Sequence, residues 1–342
     1  MNSQVNKPIR LTEVCLRDGS HVVAHQFTEQ QVRDVVRGLD DAGMHYIEVS
    51  HGDGLGGSTL QYGKSLVNEM KLIEAAVAAC TKSKVAVLLI PGIGTVHELK
   101  QANDLGARLV RAATHVTEAD VSAQHMSKAR ELGMETVGFL MMAHSASVEK
   151  LVEQAKKMES YGAEAVYITD SAGALLPHEV RERVHALRQS LQIEVGFHAH
   201  NNLSMAVANT VVAIEEGATR IDGSVRCLGA GAGNTQTEVL LAVLERMGID
   251  VSIDLYKMMD VAENIVGPLL PGSQEIRKGS LVLGYAGVYS SFLLHAERAG
   301  KKFGLDPRDI LIELGKQKVV GGQEDMIIDV AAELAKKRGI EV

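Results

Sequence analysis

The feature that most restricts the fold of this chain is a phrase repeated along it: a helix-like stretch, a glycine, then a short apolar run. It reads AGMHYIEVSH, LGARLVRAATH, LGMETVGFLM, YGAEAVYITDS and EGATRIDGSV. Gly43, Gly106, Gly133, Gly162 and Gly217 each stand where a helix would close on a left-handed residue. Apolar runs at 11–16, 85–90 and 193–197 bring the expected strands to eight between residues 10 and 224, the number that closes a (β/α)8 barrel. The segments between them carry helical spacing, as at Val32, Val35, Val36 and Leu39, and two open on capping boxes, Thr28-x-x-Gln31 and Thr95-x-x-Glu98. Strands joined by helices run parallel. An open doubly wound sheet would show the same alternation, but a count of eight favours closure. The expected architecture is therefore α/β: a TIM barrel over residues 1–249 and a helical region over 250–342, with breaks at Pro268, Pro271 and Gly272.

Composition removes several classes of function. A net charge of −8, with no dense Lys/Arg stripe, repels a nucleic-acid backbone. The most apolar stretch, 85–90, stops at Pro91-Gly92, far short of the roughly 20 residues that span a bilayer, so no membrane segment is expected. The opening MNSQVNKPIR lacks the charged-then-apolar pattern of an export signal. Cys15, Cys80 and Cys227 are odd in number and share no short metal-ligand spacing, which predicts reduced thiols and a cytoplasmic setting.

Polar residues just past barrel strands line the active-site mouth of this fold. His198-Ala199-His200 is the sharpest such signal, because residues two apart on a strand share a face. Two aligned imidazoles suit a metal, and equally a hydrogen-bonded pair in a polar mouth. Asp18, at the tip of the first expected strand, supplies the carboxylate that favours the metal. Such a half-open N/O site suits Mn²⁺, Mg²⁺ or Co²⁺ better than structural Zn²⁺, and the same ligand set serves non-haem iron. Arg17 beside it reads either as an ion-paired rim residue or, next to a metal, as a fixed charge that stabilises an enolate oxygen. His21, three residues after Asp18, is a candidate base. Gly229-x-Gly-x-Gly233 follows the last expected strand and opens no βαβ unit, so it reads as a tight turn and not a dinucleotide loop. Tyr285 and Tyr289, one helical turn apart, read as core packing.

Leu16-Arg17-Asp18-Gly19 with His198-Ala199-His200-Asn201 resembles the barrel family shared by hydroxymethylglutaryl-CoA lyase, isopropylmalate synthase and 4-hydroxy-2-oxovalerate aldolase. Ser50-His51-Gly52-Asp53-Gly54-Leu55-Gly56-Gly57, the 229–234 loop and the 284–292 segment resemble the 4-hydroxy-2-oxovalerate aldolase branch, over residues 10–330. The synthases of the wider family tend to carry Gln shortly after Arg-Asp-Gly, where this chain has Gly19-Ser20-His21. The resemblance implies a class II aldolase of aromatic-compound catabolism that cleaves 4-hydroxy-2-oxovalerate to pyruvate and acetaldehyde. It implies Asp18, His198 and His200 as ligands of a divalent metal, Mn²⁺ foremost, and Arg17 and Ser171 against the 2-oxoacid. His21 is implied as the base, and Tyr289 as a substrate-placing residue. It further implies a partner, an acylating acetaldehyde dehydrogenase, for which the helical region is the candidate contact surface. A Claisen-type acyl-CoA lyase or synthase is the alternative on the same barrel.

Overall fold

A computed structural model describes residues 8–340. Residues 1–7, and with them most of the expected unexported start, lie outside the described residues. Eight parallel strands close in chain order into one barrel: β1 (Arg10–Glu13), β2 (Tyr46–Glu48), β3 (Lys84–Leu89), β4 (Leu109–His115), β5 (Glu135–Met141), β6 (Ala165–Asp170), β7 (Glu194–Ala199) and β8 (Arg220–Gly223). The closing pair is β1 with β8, in a register that sets Thr12 opposite Asp222. Helices α1 (Glu29–Ala42), α2 (Glu69–Ala79), α3 (Val96–Leu105), α4 (Ala123–Glu131), α5 (Val148–Ser160), α6 (Pro177–Ser190), α7 (Ala206–Glu215) and α8 (Thr237–Arg246) follow the strands in turn. The five repeat glycines all adopt positive φ, from 72° to 115°, and both expected capping boxes form.

The first strand is shorter than its apolar run. It ends at Glu13 because the Val14 carbonyl accepts from the amides of Arg17 and Asp18, turning the chain out of the sheet. Arg17 and Asp18 thus sit in a turn beyond the strand, and Asp18–His21 forms a single 3-10 turn.

Alternation along the strands sorts their side chains into two compartments. Leu11, Ile47, Val85, Val110, Val166, Val195 and Phe197 pack outward against the helices. The lumen holds Leu88, Leu109, Phe139 and Tyr167, together with buried Arg111, Glu48, Asp222 and Arg220. Gly196 makes room for this filling: a Cβ there would lie 2.4 Å from the Tyr167 ring.

Beyond the barrel, α9 (Leu255–Asp260) and the turns after it join the outer barrel core through Met258, Val261 and Val266. A second core, including Leu283, Phe292, Phe303, Ile310, Leu314 and Ile327, binds together α10 (Lys278–Ala286), α11 (Phe292–Phe303), α12 (Pro307–Gln317) and α13 (Met326–Lys337). Tyr285 departs from its expected core role. It is 76% exposed, because α10 ends at left-handed Gly287 and Tyr289 lies past that break, off the helix face Tyr285 occupies. Hydrogen bonds fasten this helical unit over the barrel mouth, among them His144 Nε2 to the Gly287 carbonyl (3.1 Å), Ser290 Oγ to the Ser171 carbonyl (2.7 Å), and Asn202 Nδ2 to Ser290 Oγ (2.9 Å). Among the described residues no helix is long and apolar enough to cross a membrane.

Candidate active site

The turn after β1 is built to hold charge in a fixed place. Glu13 accepts from the amides of Cys15 (3.1 Å) and Val225 (2.8 Å) and from the Thr237 hydroxyl (2.6 Å), tying β1 to the loop after β8. Burial lifts its carboxyl to about 7 against these bonds. Asp18 Oδ1 then accepts from the Ala230 amide at 3.1 Å, which leaves Oδ2 facing the strand-seven histidines.

His198 Nε2 lies 3.5 Å and His200 Nε2 3.6 Å from Asp18 Oδ2, and the two rings stand 5.2 Å apart. Their Nδ1 atoms point away: His198 donates to Asp222 Oδ2 (2.7 Å) and His200 to the Ala230 carbonyl (3.2 Å). With Nδ1 of each ring engaged in this way, both Nε2 atoms face Asp18 Oδ2, the arrangement of metal-ligating histidines, and that of His198 also meets Asn234 Nδ2 at 3.1 Å. Burial, with His198 and Arg17 nearby, drives His200 down to about 4, so it is neutral near pH 7. Burial by itself would raise Asp18, but Arg17 and the two imidazoles outweigh it and hold the carboxyl well below its usual range. These three residues can hold a cation, and all are buried.

Arg17 is not an exposed rim residue. It is 5% exposed, with Nε on Glu48 (2.7 Å) and Nη1 on Asp18 (2.9 Å), while Nη2 has no hydrogen-bond partner among the described residues. A buried guanidinium nitrogen left unpaired is costly unless a ligand completes it. Arg111 pairs with both Glu48 and Asp222. The ionised cluster of Asp18, Glu48 and Asp222 against Arg17 and Arg111 therefore carries one excess negative charge. A divalent cation reverses that sign to one positive charge, which suits a monoanionic oxoacid.

The other expected residues are not gathered into one cavity, since His21 and Tyr289 line separate clefts. His21, half-buried at the end of the 3-10 turn, packs on Gly52, where a Cβ would sit 2.5 Å from its Nε2. It meets the His25 ring at 5.1 Å, and His25 stacks on His51 at 3.7 Å. Burial and the neighbouring imidazoles lower His25 to about 3 and His51 to about 4. His21, His25 and Asp53 form a second group with ligand atoms within 4.8 Å. Ser171 Oγ accepts from the Met142 amide at 3.0 Å, which leaves its proton free to donate. Tyr289 is near Met141 Sδ (3.9 Å) and lines a cleft of about 280 Å³ with Asp53, Tyr62, Ile90, Met142 and Glu324. His21 lines a different cleft, of about 410 Å³, with Gly231, Gln274, Ser280 and Leu294.

Comparison with known proteins decides the family. An HMGL-like model matches residues 8–265, and a DmpG-like communication domain matches residues 274–336. The chain is 81% identical over 336 residues to a 4-hydroxy-2-oxovalerate aldolase of Bacillus thuringiensis (strain Al Hakam), covering 98% of each chain. The chain belongs to the 4-hydroxy-2-oxovalerate aldolases. Other members of that family match at 71% identity, from Geobacillus stearothermophilus (97% of each chain), and at 58%, from Moorella thermoacetica (97% of this chain, 98% of the relative). The carboxyl transferase domain of Rhizobium etli pyruvate carboxylase shares the fold of this aldolase, with a TM-score of 0.81 at 14% identity over 98% of this chain and 61% of that one. As an aldolase the protein is a carbon–carbon lyase.

Reading the sequence missed Glu48, Arg111, Asp222, Asn234 and His25. Glu48 and Arg111 carried a usable signal: an ionisable residue in a short strand with no second one, YIE and LVRA, whereas Asp222 shares RIDG with Arg220. In a barrel covered by helices such a residue must point into the lumen and be paired. Asn234 Nδ2, 3.1 Å from His198 Nε2, carries no local signal.

Proposed function

We propose that this aldolase cleaves 4-hydroxy-2-oxovalerate to pyruvate and acetaldehyde through a pyruvate enolate, with a divalent metal at Asp18, His198 and His200. The observation that carries the reading is the convergence of those three donors beside the unpartnered Nη2 of Arg17. A cation bound there supplies a Lewis acid for the 2-oxo carbonyl. Mn²⁺ is the first choice, with Mg²⁺ and Co²⁺ compatible with the mixed nitrogen and oxygen donors.

The chain's own residues supply the remainder. His21 accepts the 4-hydroxyl proton, the C3–C4 electron pair passes to C2–C3 as the C2–O π pair moves onto oxygen, C4 leaves as an aldehyde, and a proton then delivered to C3 gives pyruvate. Arg17, pinned by Glu48 and Asp18, directs Nη2 to the oxygen that gains charge, so no reorganisation is needed as the enolate forms. Ser171 donates its free proton to the oxoacid, and Tyr289 closes the adjoining cleft over the substrate. The C-terminal helical region, 250–342, with exposed Leu281, Tyr285 and Leu294, is the proposed contact surface for an acylating acetaldehyde dehydrogenase. Such a pair would consume the acetaldehyde during catabolism of aromatic compounds in the cytoplasm.

Metal-depleted protein, given 4-hydroxy-2-oxovalerate and then Mn²⁺, Mg²⁺, Co²⁺ or Zn²⁺ in turn, tests reaction and cofactor together. Pyruvate release that depends on added metal is expected, with Mn²⁺ most effective. Full turnover without metal, or turnover of an acyl-CoA thioester with no cleavage of the oxoacid, would refute the proposal.

A further inference from the structure

We propose that Arg111 is a positioning residue of the reaction: through two carboxylates, one guanidinium fixes both the arginine that meets the enolate and a histidine that holds the metal. The inference rests on the metal-dependent cleavage proposed above.

Arg111 lies in the middle of β4, 1% exposed in the barrel lumen, and all three of its guanidinium nitrogens are committed. Nε donates to Glu48 at 2.7 Å, Nη2 also binds Glu48, and Nη1 binds Asp222. Each carboxylate passes the constraint on. Glu48 holds Arg17 Nε at 2.7 Å, and Asp222 holds His198 Nδ1 at 2.7 Å. A third link runs through Phe139, whose ring lies 4.5 Å from the Arg111 guanidinium and meets the His198 ring edge-on at 5.4 Å.

A purely structural reading would make Arg111 lumen filling. Arg220 shows what such filling looks like. It pairs with Glu135 and Glu194 nearer the opposite end of the barrel and lies over the Tyr46 ring at 5.1 Å, and neither carboxylate bonds to a site residue among the described residues. Every ion pair of Arg111, by contrast, ends one residue short of the chemistry. Its planar fork is needed because an ammonium gathers its three donors on one nitrogen, whereas the guanidinium meets Glu48 side-on through Nε and Nη2 and still reaches Asp222 through Nη1. Without that fork Glu48 would keep Arg17 and Asp222 would keep His198, but the link between the two carboxylates would be lost, and with it the common alignment of Arg17 and His198. Pinning Arg17 at Nε and Nη1 is also what keeps Nη2 aimed before charge develops.

The test compares full-length Arg111→Lys with Arg220→Lys as the control, and with Glu48→Gln and Asp222→Asn, each of which weakens one arm. Four properties are measured: Mn²⁺ affinity by calorimetry, affinity for oxalate and for pyruvate, steady-state cleavage, and Tm. Oxalate carries the charge and planarity of the enolate, whereas pyruvate resembles the ground state. Arg111→Lys is expected to lower kcat about 10- to 100-fold with KM changed by less than about threefold, and to weaken Mn²⁺ and oxalate each about 10-fold while sparing pyruvate. Asp222→Asn should reproduce the Mn²⁺ loss, Glu48→Gln the oxalate loss, and Arg220→Lys a lower Tm only. Wild-type Mn²⁺ and oxalate affinities in folded Arg111→Lys would overturn the proposal. If that variant does not fold, the single-arm variants decide: separate losses support it, and a shared fall in Tm with both affinities intact overturns it. Metal and oxalate binding are read without turnover, so a wild-type protein unable to cleave the oxoacid would count against the proposed reaction and leave the Arg111 result interpretable.

Discussion

At the scale of single residues, the proposed function separates groups that would hold a cation from one that would move a proton, and substitution should expose the division. Asp18→Ala removes the one carboxylate that both imidazoles face, so bound metal and turnover should vanish together. His21→Ala should retain metal content while kcat falls about 10²- to 10⁴-fold, the usual contribution of a positioned base. Metal analysis beside kinetics checks both, and an unchanged rate in His21→Ala would remove it from that role. The convergence of Asp18, His198 and His200 was legible in the sequence because two histidines two apart on one strand must share a face, and an Arg-Asp pair stood at the tip of another. Arg111 was not legible as a hub. Its partners lie 63 and 111 residues away, and only closure of the barrel brings them into one lumen. The open nitrogen of Arg17 was equally invisible, since sequence shows a guanidinium but not which of its donors is already taken.

At the scale of elements, the helix-to-strand joints carry much of the order. The repeat glycines announced themselves because positive φ at a helix end leaves few alternatives. The early end of β1 did not, because the apolar run continues through Leu16 and does not mark the Val14 carbonyl that turns onto the Arg17 and Asp18 amides. Tyr285 was misread for a similar reason: a single helical period was assumed across Gly287, which breaks it, and of the two tyrosines only Tyr289 packs against the second core. One joint makes a stability prediction. Buried Asp40 on α1 accepts from the amides of Thr81 (3.0 Å), Lys82 (2.8 Å) and Ser83 (2.6 Å), clamping the loop that enters β3. Burial alone would raise its carboxyl, but these bonds hold it well below the usual carboxylate range. The stability it contributes is therefore present above the ordinary Asp range and lost as pH falls through and below it. Asp40→Ala should cost about 2 to 3 kcal/mol at pH 7, with a smaller deficit in acid. Denaturant unfolding at both pH values checks this, and an equal deficit at each would contradict the assignment.

At the scale of the whole molecule, a barrel and a helical unit share one mouth, and the loops between them bury several neutral imidazoles. His51, lowered to about 4 mainly by burial, binds fewer protons folded than unfolded in weak acid. Its contribution to stability is complete above the ordinary histidine range, near pH 6.5, and is lost as pH falls toward about 4. His51→Asn cannot take up that proton and should flatten the acid limb of Tm against pH. An unaltered limb would mean that other groups govern it.

The central claim is that one cation sits among Asp18, His198 and His200. Anomalous diffraction from a crystal soaked in Mn²⁺ tests it most directly. The account predicts a single strong peak within bonding distance, about 2.0 to 2.3 Å, of Asp18 Oδ2 and both Nε2 atoms. A peak confined to the His21, His25 and Asp53 group, or no peak in metal-loaded active enzyme, would contradict it.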